Sequence, residues 1–300
     1  MNFRDLEYLI ALEELKHFRK AAEKCFVSQP TLSGQIRKLE DELGVQLMER
    51  SPRKVLFTQA GLDIVAKAKT ILMEARSLKE IAKSYNEPMQ GTLHIGLIPT
   101  VAPYLLPLII PTIKQHFPDL SLYLHENQTQ VLLKQLEEGE LDCLMLAMLP
   151  GMEAFDEYHL YQEPLELALA DSHQWANDNK VKLNKLRGEH VLMLEDGHCL
   201  RDQALGFCFT AGALEDNSFK ATSLETLRHM IGAENGMTLL PRLAIPLNRH
   251  QAGIKYIPFT DPEPSREISL ICRKNSVRKM CFEQLSQLIN KTVNDRLQQY

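Results

Sequence analysis

The sequence predicts two structures in series. The first is an all-α helix-turn-helix with a small β wing and a long following helix. The second is an α/β domain of two lobes. Three observations carry this. Apolar residues recur at helical spacing through the first ninety positions, punctuated by capping residues. Basic residues outnumber acidic ones 15 to 13 over residues 1–90 but trail 19 to 26 over residues 91–300, so the charge changes sign near a boundary. From residue 92 onward, short strand-like runs alternate with helical stretches.

Leu6, Leu9, Ile10 and Leu12 mark a first helix, and Phe18, Ala21, Ala22 and Cys25 a second whose small side chains permit close crossing. Ser28 is placed to cap a third helix, with Pro30 in its first turn, where a missing N–H costs little. Leu32, Ile36, Leu39 and Leu43 form one apolar stripe, ended by Gly44. The remaining surface carries Gln29, Thr31, Ser33, Gln35, Arg37 and Lys38, with no acid before Glu40. Amides, hydroxyls and cations suit a DNA major groove and its phosphates. The same pattern also fits an amphipathic helix with a solvated outer face. Arg50, Pro52, Arg53 and Lys54 precede Val55-Leu56-Phe57 and read as a basic wing tip facing phosphate.

After Gly61, residues Ile64, Ala68, Ile71, Ala75, Leu78, Ala82 and Tyr85 alternate in steps of four and three. This heptad seam predicts a helix that pairs two subunits. The domains are accordingly placed at 1–58, 59–90 and 91–300.

In the third domain, 92–99, 121–126 and 141–149 read as strands, with helices over 102–116 and 131–140 between them. Further strands are expected at 165–170, 190–194, 236–241 and 267–273, and a last helix from about Val277 to Leu297. The alternation predicts mainly parallel pairing. The chain is expected to cross between lobes near 162 and return near 267, giving lobe I about 91–161 and 268–300, and lobe II about 162–267. Ligands of such folds bind at strand carboxyl ends. Thr100 and Thr129 fall there, as cleft hydroxyls or as helix caps.

Six cysteines in 300 residues are too few and too scattered for a secreted disulfide framework. Cys199 lies in "EDGHCLRD", beside His198 and close to Arg201 and Asp202, and a nearby cation stabilises a thiolate. Cys208 lies between Phe207 and Phe209, an apolar setting. Cys272 and Cys281 share the same nine-residue interval, but their contexts read as a buried strand and a packed helix. Cys25 and Cys143 read as core residues.

Two segments carry a family resemblance. "FRKAAEKCFVSQPTLSGQIRKLEDELGVQLMERSPRKVLFTQAG" resembles the winged helix-turn-helix of LysR-type transcriptional regulators over about 60 residues. "EDGHCLRDQALGFC", "HIGLIPT" (94–100) and "ATSLETLRHMI" (221–231) resemble the peroxide-sensing members of that family, so the likeness spans nearly the whole chain. It implies a periplasmic-binding-protein-like effector domain and DNA contacts from Gln29, Pro30, Thr31, Ser33, Gln35, Arg37, Lys38, Arg50 and Arg53. It makes Cys199 the peroxidatic thiol and Cys208 its resolving partner. Thr100, Thr129, His198, Asp202 and Arg266 match positions around the reactive centre, with Arg266 as the remote cation. Cys272 and Cys281 depart from the family's sensing pattern.

A helix between Cys199 and Cys208 would hold their Cα atoms roughly 13 Å apart, whereas a disulfide needs about 7 Å or less. Oxidation then requires local unwinding. The implied partners are promoter DNA, RNA polymerase, hydrogen peroxide, a cellular thiol reductant and further copies of the chain, as a homodimer or homotetramer. No cofactor, metal, membrane or enzymatic role is expected. No run approaches the roughly 18 apolar residues of a membrane span, and no secretory signal is visible, so the expected compartment is the cytoplasm. Three rivals remain: a regulator sensing a small metabolite in the cleft, a thiol peroxidase carrying a DNA-binding domain, and a metal sensor, which lacks a spaced Cys/His set.

Overall fold

The structure, a computed structural model, describes residues 1–50, 55–84, 88–233 and 236–300, with the side chains of 50, 80, 83 and 84 excepted. Two compact units are present, one of Met1–Tyr85 with Glu138–Glu140, the other of Asn86–Glu137 with Leu141–Tyr300.

In the first unit, helix α1 (Phe3–Leu15) starts with a capping box between Asn2 and Asp5. Helix α2 (Phe18–Lys24) leads through a turn in which Phe26 adopts φ 54° and is 96% exposed. Ser28 caps α3 (Gln29–Leu43) through the Thr31 N–H, and Gly44 closes it at φ 69°. Leu32, Ile36 and Leu39 enter one core with Leu9, Leu12, Ala21 and Leu47. Strands β1 (Met48–Arg50) and β2 (Val55–Phe57) pair antiparallel as the wing.

Thr58 then ties the wing to α4 (Gln59–Ser84). Its hydroxyl donates to the Gln46 carbonyl at 2.8 Å and accepts from the Gly61 N–H at 3.0 Å. A Cβ on Gly61 would lie 2.0 Å from the Leu47 carbonyl oxygen, so only glycine permits this approach. Along α4, Ala68 is buried, Ile64, Ile71 and Ala75 are half-buried and Leu78 is 68% exposed. Tyr85, the last member of the predicted seam, lies outside the described residues.

The second unit contains β3 (Gly91–Leu97), α5 (Ala102–His116), β4 (Leu120–Glu126), α6 (Thr129–Glu137), β5 (Cys143–Ala147) and the 16-residue β6 (Phe155–Ala170). It continues with β7 (His190–Leu194), α7 (Cys199–Ala211), β8 (Leu214–Ala221), α8 (Leu224–Gly232) and β9 (Met237–Pro241). It ends with β10 (Ile254–Pro258), β11 (Ser265–Arg273) and α9 (Lys279–Leu297). The sheet order is β4-β3-β5-β11-β6-β9-β7-β8, with β10 also on β6.

The expectation of mainly parallel pairing is corrected. β3 pairs parallel with β4 and β5, and β7 with β8 and β9, but β11 runs antiparallel to β5 and β6, and β6 antiparallel to β9 and β10. The reversal is confined to β6 and β11, each of which runs antiparallel to every strand it pairs with. Their partners lie far away in sequence, so the local alternation of strand and helix carries no mark of their direction.

Two hydrophobic cores result. One gathers Leu93, Ile95, Leu105, Leu144, Ile268, Leu270, Phe282 and Leu285. The other gathers Leu167, Leu169, Val191, Leu192, Leu227, Leu239 and Phe259. β6 contributes Leu160 and Tyr161 to the first core and Leu165, Leu167 and Leu169 to the second. Among the described residues no helix is long and apolar enough to cross a membrane.

Candidate functional site

Helix α7 begins at Cys199. Gly197 precedes it at φ 95°, where a Cβ would lie 2.8 Å from the Gln128 side-chain oxygen, and His198 occupies the N-cap position. Cys199 therefore lies in the first turn, where the helix dipole favours a negative charge. Cys208 lies nine residues on. At 100° per residue that is two and a half turns, so the two side chains leave opposite faces of the helix. Their burial follows suit: Cys199, 3% exposed, belongs to the first core, whereas Cys208, 2% exposed, belongs to the second. Both are free thiols.

Around Cys199 the structure assembles Thr129, Arg266 and, through Arg266, Thr100. Thr129 opens α6; its hydroxyl is buried, lowers the Cys199 thiol's pKa from nearby, and makes no regular hydrogen bond among the described residues. Arg266 on β11 is 2% exposed. Its Nη1 donates to Thr100 Oγ1 at 3.0 Å and its Nη2 to the Thr100 carbonyl at 2.9 Å. Nε and Nη2 meet Glu163 Oε2 at 2.8 and 2.7 Å. Glu163 was not legible as a site residue: it lies in the run Gln162-Glu163-Pro164, just ahead of the strand expected from residue 165.

The electrostatics correct one expectation. Burial pushes the Cys199 thiol above its ordinary value. Arg266, the Thr129 hydroxyl and the backbone of Ala147 and Leu200 pull it down without overcoming burial. The sequence neighbours contribute little to the thiolate. Arg201 turns to Asp196 Oδ1 at 2.8 Å and to Glu215 Oε2 at 3.3 Å. Asp202 is exposed, and the charge acting on the thiol is that of Arg266. His198 is 5% exposed and burial lowers its pKa, partly opposed by Glu195, so it is neutral at pH 7. Burial pushes Cys208 up to about 12.

Gln203, one turn beyond Cys199 on the same face, donates to the Met148 carbonyl at 3.2 Å while its own Oε1 is buried without a partner among the described residues. It too escaped the sequence reading, because a glutamine inside a helix is ordinarily a solvated residue.

In the first unit, Gln29, Pro30, Thr31, Arg37 and Lys38 are exposed along α3, and Ser33 and Gln35 are half-buried. Thr31 Oγ1 is engaged by Ser28 Oγ at 2.7 Å. Arg50 has its backbone on β1, its side chain lying outside the description, and Arg53 and Lys54 lie outside the described residues.

Comparison with known proteins agrees across the chain. The profile for bacterial regulatory helix-turn-helix proteins of the lysR family matches residues 3–62, and that for the LysR substrate binding domain matches residues 86–293. The chain is 58% identical over 300 residues to the hydrogen peroxide-inducible genes activator of Pectobacterium carotovorum subsp. carotovorum, covering 100% of this chain and 98% of that protein. It is 59% identical over 289 residues to the DNA-binding transcriptional dual regulator OxyR of Escherichia coli K12, covering 96% and 95%. Among solved structures, full-length OxyR C199D from Pseudomonas aeruginosa is 34% identical with a TM-score of 0.76, covering 96% and 94%. The oxidized form of OxyR is 54% identical with a TM-score of 0.65, covering 70% of this chain and 99% of that one, and the reduced form is 51% identical at the same TM-score and coverage.

Proposed function

Because the chain belongs to the LysR family of bacterial transcriptional regulators, we propose that it is a DNA-binding activator switched by hydrogen peroxide through Cys199 and Cys208. The observation that carries this reading is the placement of the two thiols on opposite faces of one helix, in two separate cores.

The Cys199 thiolate attacks one peroxide oxygen, the O–O bond breaks, and the departing hydroxide takes a proton to leave as water. The product is a sulfenic acid. Arg266 supplies positive charge to the anionic sulfur, while Thr129 and Thr100 offer hydroxyls to the sulfur and to the guanidinium. The Cys208 sulfur then displaces the sulfenic hydroxyl, releasing a second water and forming the disulfide. The intact helix cannot accommodate that bond, since its Cα atoms are roughly 13 Å apart against a limit of about 7 Å. α7 therefore unwinds, drawing Leu200, Ala204 and Cys208 out of the second core.

This bistable segment is read out by the DNA-binding unit. α3 enters the major groove with Gln29, Thr31, Ser33, Gln35, Arg37 and Lys38, Pro30 shapes its first turn, and Arg50 and Arg53 reach phosphates from the wing. α4 pairs with a second copy along its half-covered seam, and two such pairs make a tetramer. RNA polymerase recruitment and recovery by a dithiol reductant in the cytoplasm complete the cycle. The test is an operator footprint before and after peroxide, in the unaltered chain and in Cys199→Ser. Identical footprints before and after peroxide in the unaltered chain would refute the switch.

A further inference from the structure

Arg266 is a fully buried cation near a buried thiol, yet the thiol still lies above its ordinary value. Burial accounts for the rise, and the cation that opposes it is itself held by a carboxylate on the neighbouring strand. Glu163 and Arg266 are direct cross-strand partners in the β6/β11 ladder, so strand register alone brings carboxylate and guanidinium together. Glu163 is 1% exposed, and both of its oxygens are used. Oε2 takes the two guanidinium contacts, and Oε1 accepts the Leu243 N–H at 3.2 Å. The carboxylate is thus fixed from two sides, by β11 and by the turn after β9.

We propose that Glu163 is a positioning residue for the sensing reaction, holding Arg266 against Thr100 while withholding part of its charge from the Cys199 sulfur. This rests on the reading of Cys199 as the reactive thiol. An ion pair closed at 2.7 Å acts on a third group as a dipole, whose potential fades faster with distance than that of a lone cation. Both partners are out of solvent, so salt screens this little. The remaining groups facing the pair are few. Tyr161 faces both Glu163 and Arg266, Tyr104 feels Arg266, and Tyr300 feels Glu163. Around Cys199 stand Arg266 and Thr129, with His198 neutral beside it. Among the described residues, Glu163 is the carboxylate that acts most strongly on Arg266. In the resting protein it therefore limits the thiolate population, and with it the rate at which peroxide is answered.

The test is the pH profile of iodoacetamide labelling at Cys199 in the full-length protein, followed by peptide mass spectrometry. Glu163→Gln keeps the size and removes the charge. Its midpoint should fall by about one pH unit, a tenfold rise in anion at fixed pH below the midpoint. Glu163→Asp keeps the charge but shortens the reach, and should fall by a smaller amount. A midpoint unmoved or raised in either folded variant overturns the proposal, and should Glu163→Gln fail to fold, Glu163→Asp decides alone. Alkylation reports the thiol whether or not peroxide is its signal. A lowered midpoint with no peroxide response would leave the role of Glu163 standing and refute the sensing reading.

Discussion

Cys272 stands directly opposite Cys143 in the antiparallel β5/β11 ladder. Facing residues in such a ladder have Cα atoms about 4.5–5.5 Å apart, inside the range a disulfide accepts. By distance alone this pair, not Cys199 and Cys208, is ready to bond. Reactivity reverses the order. Both thiols are 0% exposed, and burial pushes Cys272 up to about 12 and Cys143 well above its ordinary value. Mass spectrometry after brief, low-dose peroxide should find the Cys199–Cys208 bond, with Cys143, Cys272 and Cys281 reduced. A dominant Cys143–Cys272 or Cys272–Cys281 bond would move the sensor away from α7.

Cys208→Ser should stop the reaction at the sulfenic acid. α7 then has no covalent reason to unwind, and the peroxide-treated variant should give the footprint of the reduced protein while Cys199 is trapped by a sulfenate-selective reagent. A full footprint change without Cys208 would show that oxidation of one sulfur is enough.

Alkaline pH should destabilise the fold. Cys208 and Cys272 ionise near 9 when unfolded but only near 12 when folded. Their contribution is complete below pH 9, and it is lost as pH rises toward 12, because the unfolded chain sheds protons that the folded one keeps. Each such thiol adds a slope of about 1.4 kcal/mol per pH unit in that window. Thermal melts from pH 8 to 10.5 should show a steep fall, with a shallower slope in Cys272→Ala whatever its starting stability. An unchanged slope would mean that Cys272 is solvated.

Arg201→Ala should bias the switch. Arg201 anchors the first turn of α7 to Asp196 and to Glu215 on β8. Without it the helical form loses support that the unwound form does not use. At a fixed dithiol-to-disulfide ratio, the oxidised fraction should rise several-fold, with no change in the Cys199 labelling midpoint. A shifted midpoint would restore Arg201 as a thiolate partner.

On the DNA side, Arg37→Ala should weaken binding to all sequences alike and lower the salt-dependence slope by about one if its guanidinium meets phosphate. Gln29→Ala should instead relax base preference at one position, by about 1–3 kcal/mol. Equal losses of specificity from both would place Arg37 on a base edge.

The helix-turn-helix was legible because each boundary is marked by a residue with a local reason, as Ser28 and Gly44 mark α3. β8 was not, because its run "LEDNSFKA" belongs to an exposed edge strand and carries no apolar alternation. β6 was recognised only over its last six residues, since Pro164 and the polar stretch before it read as a loop. The candidate site divides the same way. Cys199 and Cys208 announce themselves by chemistry, but the partners of Arg266 are set by strand register, which links residues about a hundred positions apart and leaves no local trace. Proximity in sequence misled for Arg201, whose side chain is claimed by Asp196 and Glu215.

The tight seat of Gly61 against Leu47 has a mechanical result. With Thr58 bridging Gln46 and Gly61, the wing and the first turn of α4 cannot swivel independently. α4 spans 26 residues, a shaft roughly 39 Å long. Tilting it by about ten degrees about its far end swings the wing by roughly 7 Å, about a fifth of the 34 Å helical repeat that separates adjacent half-sites. A small tilt imposed at the far end of this shaft would therefore arrive at the wing as a displacement of that size.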